Sequence, residues 1–192
     1  TGGRFDIGYD NGRTGVYGDA TVAFLDGQNV QSNYMVDAGG GAYWRFYRTE
    51  TGGLKVGVNL QAQAYERNLD FYTLGNGGYF SPQTAVEATI PIEYTGRWGR
   101  VNYTVGGQVG LMNFHDKSSP YFPLDPNLQG AAIPNSIYPS QTVTTAIYGI
   151  TARAEYEVAP LLVLGASFGA DNSFNYNEQS LAVYLKKKFD TY

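Results

Sequence analysis

Long stretches of strict two-residue alternation are the feature that most constrains this chain. Apolar side chains occupy every second position at residues 146–158, 34–46 and 54–64. Alternation with a period of two is typical of a β-strand that has one apolar and one polar face. Ordinary strands run for about 5–6 residues, whereas a strand that crosses a membrane needs about 9–11. The pattern therefore predicts long strands of the kind found in membrane-spanning β-barrels.

The same alternation recurs along the whole chain and predicts about nine strands. The remaining apolar series lie at residues 5–9, 16–24, 86–94, 101–111, 162–170 and 181–185. No segment has a convincing amphipathic helix pattern. The connections are predicted to alternate strictly between short ones, at 10–13, 49–53, 96–99 and 159–160, and long ones, at 26–32, 66–83 and 115–141. Outer-membrane barrels sort their connections in this way, with short periplasmic turns and long extracellular loops.

Composition leaves two β architectures open. Charged residues make up 16% of the chain, below the roughly 25% of ordinary soluble domains, yet the mean hydropathy of −0.30 fits both a soluble protein and a barrel with alternating faces. We predict an all-β, transmembrane, antiparallel up-and-down β-barrel, with a soluble β-sandwich binding module for carbohydrate as the alternative. Since bacterial barrels have even strand numbers, about nine strands indicate either a miscount or part of a larger barrel. Predicted interface aromatics are Tyr9, Phe46, Tyr94, Tyr103, Tyr156 and Phe189.

The residues that catalysis or metal binding would need are scarce. The chain has no cysteine and one histidine, His115, which is predicted to lie exposed in a loop. Glu87 and Glu93 would lie roughly 20 Å apart along one strand, whereas glycosidase carboxylates lie about 5–9.5 Å apart. We therefore predict no enzyme activity, no cofactor and no metal site. The net charge of −4 disfavours a nucleic-acid partner.

Several motifs resemble a known family. These are LDFYTLGNGGYFSPQ (69–83), SPYFPLDPNLQ (119–129), IYPSQ (137–141), AGGGAYWRFYR (38–48) and YNEQSLAVYLKKKF (176–189). They resemble the C-terminal outer-membrane domain of the bacterial cellulose synthase operon protein C, and the similarity covers essentially all of residues 1–192 as one domain. The resemblance implies a barrel of about sixteen strands, located in the outer membrane, of which this chain is the C-terminal portion, and which exports cellulose. It also implies partners: outer-membrane lipid, the remaining barrel strands, a periplasmic helical-repeat region and the inner-membrane cellulose synthase complex.

The polar side of the predicted strands would line the pore. Its charges are mixed, with acids in excess, which favours a neutral glucan such as cellulose over an anionic polysaccharide. Amides and carboxylates can exchange hydrogen bonds with sugar hydroxyls, and tyrosines offer flat faces to pyranose rings. A generic porin-like barrel for small solutes is the alternative function. The candidate path residues are Asp37, Tyr43, Arg45, Tyr47, Asn59, Gln61, Gln63, Tyr65, Glu87, Glu93, Gln108, Arg153, Glu155 and Tyr184.

The glycine-rich stretch GNGGYFSPQT at 75–84 does not have the pattern of a phosphate loop. No Gly-Lys-Ser/Thr follows it, and no helix is predicted to begin there. Its glycines permit a positive φ, and we place it in a long extracellular connection. Tyr79 and Phe80 are expected either to fold over the pore as a lid or stacking surface, or to pack against Tyr121 and Phe122. The candidate loop or gate residues are Gly77, Gly78, Tyr79, Phe80, Pro82, Tyr121 and Phe122.

Overall fold

Nine long strands form one antiparallel sheet in the computed structural model, which describes residues 1–131, 136–174, 176–187 and 189. They are β1 (Gly2–Asp10), β2 (Thr14–Gly27), β3 (Val30–Arg48), β4 (Gly52–Tyr65), β5 (Thr84–Trp98), β6 (Val101–Asp116), β9 (Gln141–Ala159), β10 (Leu162–Ser173) and β11 (Tyr176–Lys187). Each strand pairs with its sequence neighbours among the nine, and β1 and β11 form the two edges. The predicted up-and-down order and strand number are confirmed. A single open sheet also rules out the two packed sheets of a sandwich and fits part of a larger barrel.

Residues 117–140 contain three short elements: β7 (Ser119–Pro120), α1 (Pro126–Ala131) and β8 (Ile137–Tyr138). Asp125 caps α1, because its Oδ1 accepts hydrogen bonds from the amides of Asn127 (2.9 Å) and Leu128 (3.0 Å). Pro126 occupies the first helical position, where its missing N–H is not needed. A helix this short has no apolar stripe, so hydrophobic periodicity did not predict it. Among the described residues, no helix has the length and apolarity that a membrane crossing requires.

The two ends of the sheet differ in their connections. At one end, here called the turn end, all four hairpins are tight and lie at residues 11–13, 49–51, 99–100 and 160–161. The opposite loop end holds the long connections 66–83 and 117–140. The predicted strict alternation of short and long connections is wrong, because β2 and β3 meet in a tight turn in which Asn29 has φ 59°. The connection from β10 to β11 is also short, since Ser173 pairs with Tyr176.

The register divides the sheet into two chemically different faces. Directly opposed residues on antiparallel strands lie on the same face, so the pairs Tyr17↔Gly41 and Gly41↔Asn59 place these residues on what we call the polar face. On the opposite, apolar face, Leu60, Val109 and Ile150 of interior strands are 63%, 61% and 55% exposed. Apolar side chains this exposed in the middle of a sheet indicate apolar surroundings supplied from outside the described chain.

The register moves Tyr47 out of the polar series of β3, although Tyr47 still borders the recess at the turn end that Arg45 and Lys55 line. The register of β3 against β4 shifts between Arg45 and Tyr47, so that Arg45 opposes Lys55 but Tyr47 opposes Leu54. Leu54 in turn opposes Tyr94, a member of the apolar series. A bulge adds one residue to one strand and so exchanges the faces beyond it.

The polar face is not polar over its whole length. At the loop end, Ala85, Met112, Phe114 and Ile147 all point to this face and form a buried cluster. Phe80 of the 66–83 connection contacts Phe114 edge-on, with ring centroids 5.1 Å apart. The long connection therefore folds inward over the polar face, and the buried core of the sheet lies beneath it.

Candidate functional site

Two recesses, of about 840 and 400 Å³, lie on the polar face. The smaller is lined by residues of seven of the long strands, β2 to β6, β9 and β10, so the sheet curves around its polar face. The larger lies at the turn end. The structure thus brings together most of the central candidate path residues: Tyr43, Asn59, Glu93 and Gln108 in the smaller recess, and Arg45, Glu93, Arg153 and Glu155 in the larger.

Asp10, Tyr43 and Arg45 form one charged group beside these recesses. Arg45 donates two hydrogen bonds to Asp10, at 2.8 and 2.7 Å, in the planar fork geometry that suits a carboxylate. The Tyr43 hydroxyl donates to the same carboxylate at 2.7 Å. Arg45 also lies 5.1 Å from the centre of the Tyr43 ring, a favourable cation–π distance. The group joins β1 to β3 across β2 and leaves no uncompensated charge on Arg45.

Two further ion-paired groups continue along the turn end. Lys55 on β4 contacts Glu93 on β5 at 2.8 Å. Glu155 accepts hydrogen bonds from Lys186 and the Tyr184 hydroxyl, each at 2.9 Å, and forms an ion pair with Arg153. Arg153 in turn donates to the Tyr184 hydroxyl at 2.7 Å. Each cation here is held by a carboxylate on the same face.

Tyrosines lie flat on the polar face over glycines of the neighbouring strand. A Cβ added to Gly15 would overlap the ring of Tyr43, one on Gly165 would overlap Tyr184, and one on Gly41 would approach the Tyr17 ring at 2.7 Å. Bare backbone beneath an aromatic ring lets the ring lie along the sheet and covers the exposed glycine. The rings of Tyr17 and Tyr43 line the smaller recess.

The other candidate path residues lie nearer the loop end. Gln61 donates to Asp37 at 2.6 Å, and the Gln63 amide lies 3.8 Å from Met35 Sδ. Glu87 is half-buried and opposes Gln61 and Met112 on the neighbouring strands. Tyr65 contacts the ring of Tyr79, with centroids 5.8 Å apart. These residues border the inward-folded connection 66–83.

In the 66–83 connection, aromatic residues pack inward against the sheet. Tyr79 contacts Tyr65, and Phe80 contacts Phe114. The expected packing against Tyr121 and Phe122 is wrong: the ring of Tyr121 stacks on Tyr138 at 4.2 Å. The Phe122 amide donates to Gln129 at 2.8 Å, and Pro82 is fully buried. The two long connections meet instead through Phe71, whose ring stacks on Tyr138 with centroids 3.4 Å apart.

Glycine is required at particular points of this connection. Gly78 has φ +67°, and an added Cβ would lie 2.7 Å from the Tyr72 ring. Gly75 has φ +97° and lies against Pro123 of the second long connection. Gly77 is covered by the ring of Tyr79. The glycines therefore permit both the left-handed backbone and the close approach of the two connections.

Asn33 anchors the connection to β3, a role that the sequence did not reveal. Its side chain is 1% exposed and its Nδ2 donates to the Arg67 carbonyl (2.9 Å) and the Tyr79 hydroxyl (3.0 Å). Its Oδ1 accepts from the amides of Arg67 and Tyr34, both at 3.0 Å. All of the hydrogen-bonding capacity of the buried amide is thus used. The two long connections are themselves joined by Asn76, which donates to the Tyr121 carbonyl at 3.2 Å.

A pair of acidic residues lies under the long connections. Asp116 is 2% exposed, and its Oδ2 accepts from Gln141 at 2.8 Å. Partial burial, with a smaller contribution from the negative charge of Asp116, raises the pKa of Asp70 above its usual value. Among residues 1–131, 136–174, 176–187 and 189, no group of three or more histidine or acidic side chains could hold a metal ion.

Several residues of the polar face were absent from the predicted path. Asp10, Tyr17 and Lys186 lie there: Tyr17 donates to Asn59, Asp10 binds Arg45 and Lys186 contacts Glu155. Their parity within β1, β2 and β11 was the available signal, because each is on the polar side of its alternating series. Their partners were not predictable, since these depend on the register between strands.

Comparison with known proteins agrees with this architecture. The family model described as "Cellulose synthase operon protein C C-terminus" matches residues 1–190. Proteins named cellulose synthase operon protein C are similar to the chain. The one from Pseudomonas fluorescens is 37% identical over 189 residues, which cover 98% of this chain and 15% of the relative. The one from Komagataeibacter xylinus is 37% identical over 179 residues, covering 87% of this chain and 14% of the relative.

A more distant relative, from Salmonella typhimurium, is 27% identical over 190 residues, which cover 96% of this chain and 16% of its own length. This chain thus spans roughly a seventh of the length of these curated relatives. The match extends over all nine long strands and both long connections. The chain therefore belongs to the family of the cellulose synthase operon protein C C-terminus.

Proposed function

We propose that this chain forms part of an outer-membrane β-barrel that passes nascent cellulose, or a similar neutral β-glucan, from the periplasm to the cell exterior. A role in cellulose biosynthesis is supported by the relatives, which are named for a cellulose synthase operon. The export channel is our own step beyond those names. It requires the remaining barrel strands, a periplasmic helical-repeat region and a synthase that drives polymer extension from the inner membrane.

The observation that carries this proposal is the pairing of charge on the polar face. Five cations on that face of the described strands contact a carboxylate: Arg4, Arg45, Lys55, Arg153 and Lys186. Arg48 and Arg97, which border the larger recess at the turn end, form none of the ion pairs of the described residues. Beyond the turn end, an anionic polysaccharide would meet no uncompensated positive charge on the polar face of the described strands, and the remaining acids would repel it. A neutral glucan does not need uncompensated positive charge on the wall of its path. Its hydroxyl groups can exchange hydrogen bonds with the amides and carboxylates that line the recesses.

The flat tyrosines supply the second part of the mechanism. Tyr17 and Tyr43 lie with ring centroids 6.4 Å apart on adjoining strands and face the 400 Å³ recess. An aromatic face can stack against the apolar face of a pyranose ring without binding it tightly. A conducting pore must bind its cargo weakly at many sites so that the polymer both enters and leaves. Shallow stacking sites meet that requirement better than a deep pocket would.

Single-channel block by oligosaccharides tests the proposal on the full-length protein in planar bilayers. We expect cellohexaose to interrupt the current, while an oligogalacturonate of equal length, which is anionic, interrupts it far less. Tyr17→Ala and Tyr43→Ala should each shorten the cellohexaose block several-fold. Tyr148→Ala is the matched control, because Tyr148 pairs with Val109 on the apolar face, lines neither recess and should leave the block unchanged.

Deletion of residues 1–192 from the full-length gene tests export in cells. We expect extracellular cellulose to be lost while synthesis of the polymer continues. Normal export after the deletion would refute the proposed function. Equal block by cellohexaose and oligogalacturonate would favour a generic porin-like barrel for small solutes instead.

A further inference from the structure

The larger recess, of about 840 Å³ at the turn end, has a wall rich in neutral hydrogen-bonding side chains. They are Thr49, Thr51, Thr95, Asn102 and Thr104. In the part of the chain that the structure describes, the Thr49 hydroxyl donates to the Gly52 carbonyl at 3.1 Å, whereas the other four side chains have no hydrogen-bond partner within the protein. A hydroxyl can both donate and accept, and an amide offers a donor and an acceptor separately. The recess therefore presents free groups of both kinds.

Two arginines of the same recess, Arg48 and Arg97, have no carboxylate partner among the described residues. Arg48 opposes Gly53, which in turn opposes Thr95 on the next strand. Arg97 follows two residues after Thr95 and so lies on the same face. Because glycine stands between the two strands, no side chain separates the arginines there. Arg97 Nε donates to the Gly99 carbonyl at 3.2 Å, and the remaining N–H groups of both side chains are free within the described protein.

One acidic residue of the recess, Glu50, is also without a cationic partner among the described residues. Glu93 and Glu155, the other carboxylates of the wall, are held by cations. An anion only accepts hydrogen bonds, so it would satisfy the arginines but be repelled by Glu50. A ligand with many hydroxyl groups can accept from the guanidinium groups and donate to the carboxylate. The free groups of the recess therefore favour a neutral, hydroxyl-rich ligand.

The shape of a guanidinium group suits neighbouring hydroxyl groups. Its N–H groups form a planar fork that donates two parallel hydrogen bonds, as Arg45 does to Asp10 at 2.8 and 2.7 Å. Each glucose unit inside a cellulose chain carries two free hydroxyl groups on adjacent ring carbons, and their oxygens can accept from one such fork. These bonds to a neutral group are weaker than an ion pair, which is what a path that must release its cargo requires.

We infer that the larger recess is an entry subsite for the glucan, where Arg48 and Arg97 donate to hydroxyl groups of the polymer and Glu50 accepts from others. The inference rests on the proposed function. Both recesses have Lys55 and Glu93 in their walls, so the entry subsite adjoins the tyrosine-lined recess on the same face. The polymer is held first by hydrogen bonds at the turn end, since short turns are typical of the periplasmic side. It then passes to the tyrosine rings.

Single-channel block measured from each side of a planar bilayer tests the entry subsite in the full-length protein. Cellohexaose is added first to one chamber and then to the other, and the rate at which it blocks is measured from each. We expect the wild type to be blocked faster from one chamber, and R48Q/R97Q to lower that faster rate at least about fivefold while the slower rate is unchanged. The matched control R13Q/R100Q removes two exposed turn-end arginines that do not line the recess, and it should keep both wild-type rates.

Two further variants make the test independent of a single substitution. Thr95→Val removes a hydroxyl from the same wall and keeps the shape of the side chain, so it should lower the faster rate by a smaller factor. R48K/R97K keeps both charges but lacks the planar fork, and it should recover the rate only in part. Full recovery would show that charge alone matters and would overturn the assigned hydrogen bonds.

The outcomes separate this inference from the proposed function. An unchanged faster rate in R48Q/R97Q, or equal rates from the two chambers in the wild type, would overturn the entry subsite and leave the proposed function intact. If R48Q/R97Q lowers block by an oligogalacturonate instead, the recess binds anions and the inference is wrong. No block of the wild type by cellohexaose from either chamber would refute the proposed function itself.

Discussion

Replacing Asn33 with alanine should release the 66–83 connection from the sheet. The substitution removes the four hydrogen bonds of a side chain that is 1% exposed, and it leaves the Arg67 amide and the Tyr79 hydroxyl without their partner. A buried hydrogen bond contributes about 0.5–1.5 kcal/mol net, and the losses add incompletely. We therefore expect the closed connection to lose about 2–4 kcal/mol relative to the open one. Since about 1.4 kcal/mol is a factor of ten, the open population should rise about 30- to 800-fold.

Amide hydrogen exchange measures this change directly. The informative amides are those bonded within the connection, away from the mutation: Leu69 N–H to Ser81 Oγ at 2.7 Å, and Gly77 and Gly78 N–H to the Leu69 carbonyl at 3.0 and 2.9 Å. Their protection should fall by the same factor by which the open population rises.

Asn113→Ala is the matched control for this experiment. Asn113 also uses its amide to contact the neighbouring strand, at 2.7 Å to Thr144, but it is exposed. Its removal should leave exchange in the connection within about threefold of the wild type, because water replaces an exposed bond. The reasoning is refuted if Asn33→Ala alters protection of Leu69, Gly77 and Gly78 no more than Asn113→Ala does.

Three further predictions concern other parts of the molecule. Phe114→Ala should lower the free energy of unfolding by about 3–5 kcal/mol in a denaturant titration, because the ring is 1% exposed and packed between Phe80 and Phe174. If it lowers that free energy no more than Phe46→Ala, which removes an exposed ring, the prediction is wrong. Gly165→Ala should displace the Tyr184 ring and shorten cellohexaose block, whereas Gly3→Ala, with open space around it, should not. The raised pKa of Asp70 means that its contribution to stability is present at low pH and is lost as pH rises through the pKa of the folded state. Asp70→Asn should therefore reduce the change of melting temperature between pH 4 and 7. The same change of melting temperature in both proteins would argue against this prediction.

The number, order and faces of the strands follow from the sequence because alternation is a local signal. Each apolar series, such as the one from residue 146 to 158, fixes which side chains share a face without reference to other strands. The same signal fails wherever the backbone departs from regular pleating. Tyr47 continues the polar series of β3 in sequence, yet one extra residue in the strand moves it to the apolar face. Periodicity alone contains no information about that residue.

Partners across strands were less predictable than faces. Arg45 could be placed on the polar face from its parity, but its carboxylate, Asp10, lies 35 residues away and becomes a neighbour only through two registers. The inward path of the 66–83 connection was hidden for a similar reason. Phe114 and Ile147 occupy the polar side of their strands. In the sequence each is a single apolar residue in a polar series, and only the pairing of the strands shows that they form one cluster.

The placement of the buried core determines which substitutions this sheet should tolerate. In a soluble β-protein the apolar residues of interior strands are buried, but here Leu60 and Val109 are exposed, while the buried cluster lies on the polar face beneath the 66–83 connection. Contacts within the chain therefore stabilise the loop end, and the apolar face depends on its surroundings. Substitutions such as Val109→Ala should have small effects in detergent, where the surroundings adapt. Substitutions in the cluster should be costly in any medium, since the cavity they leave is enclosed by the chain itself.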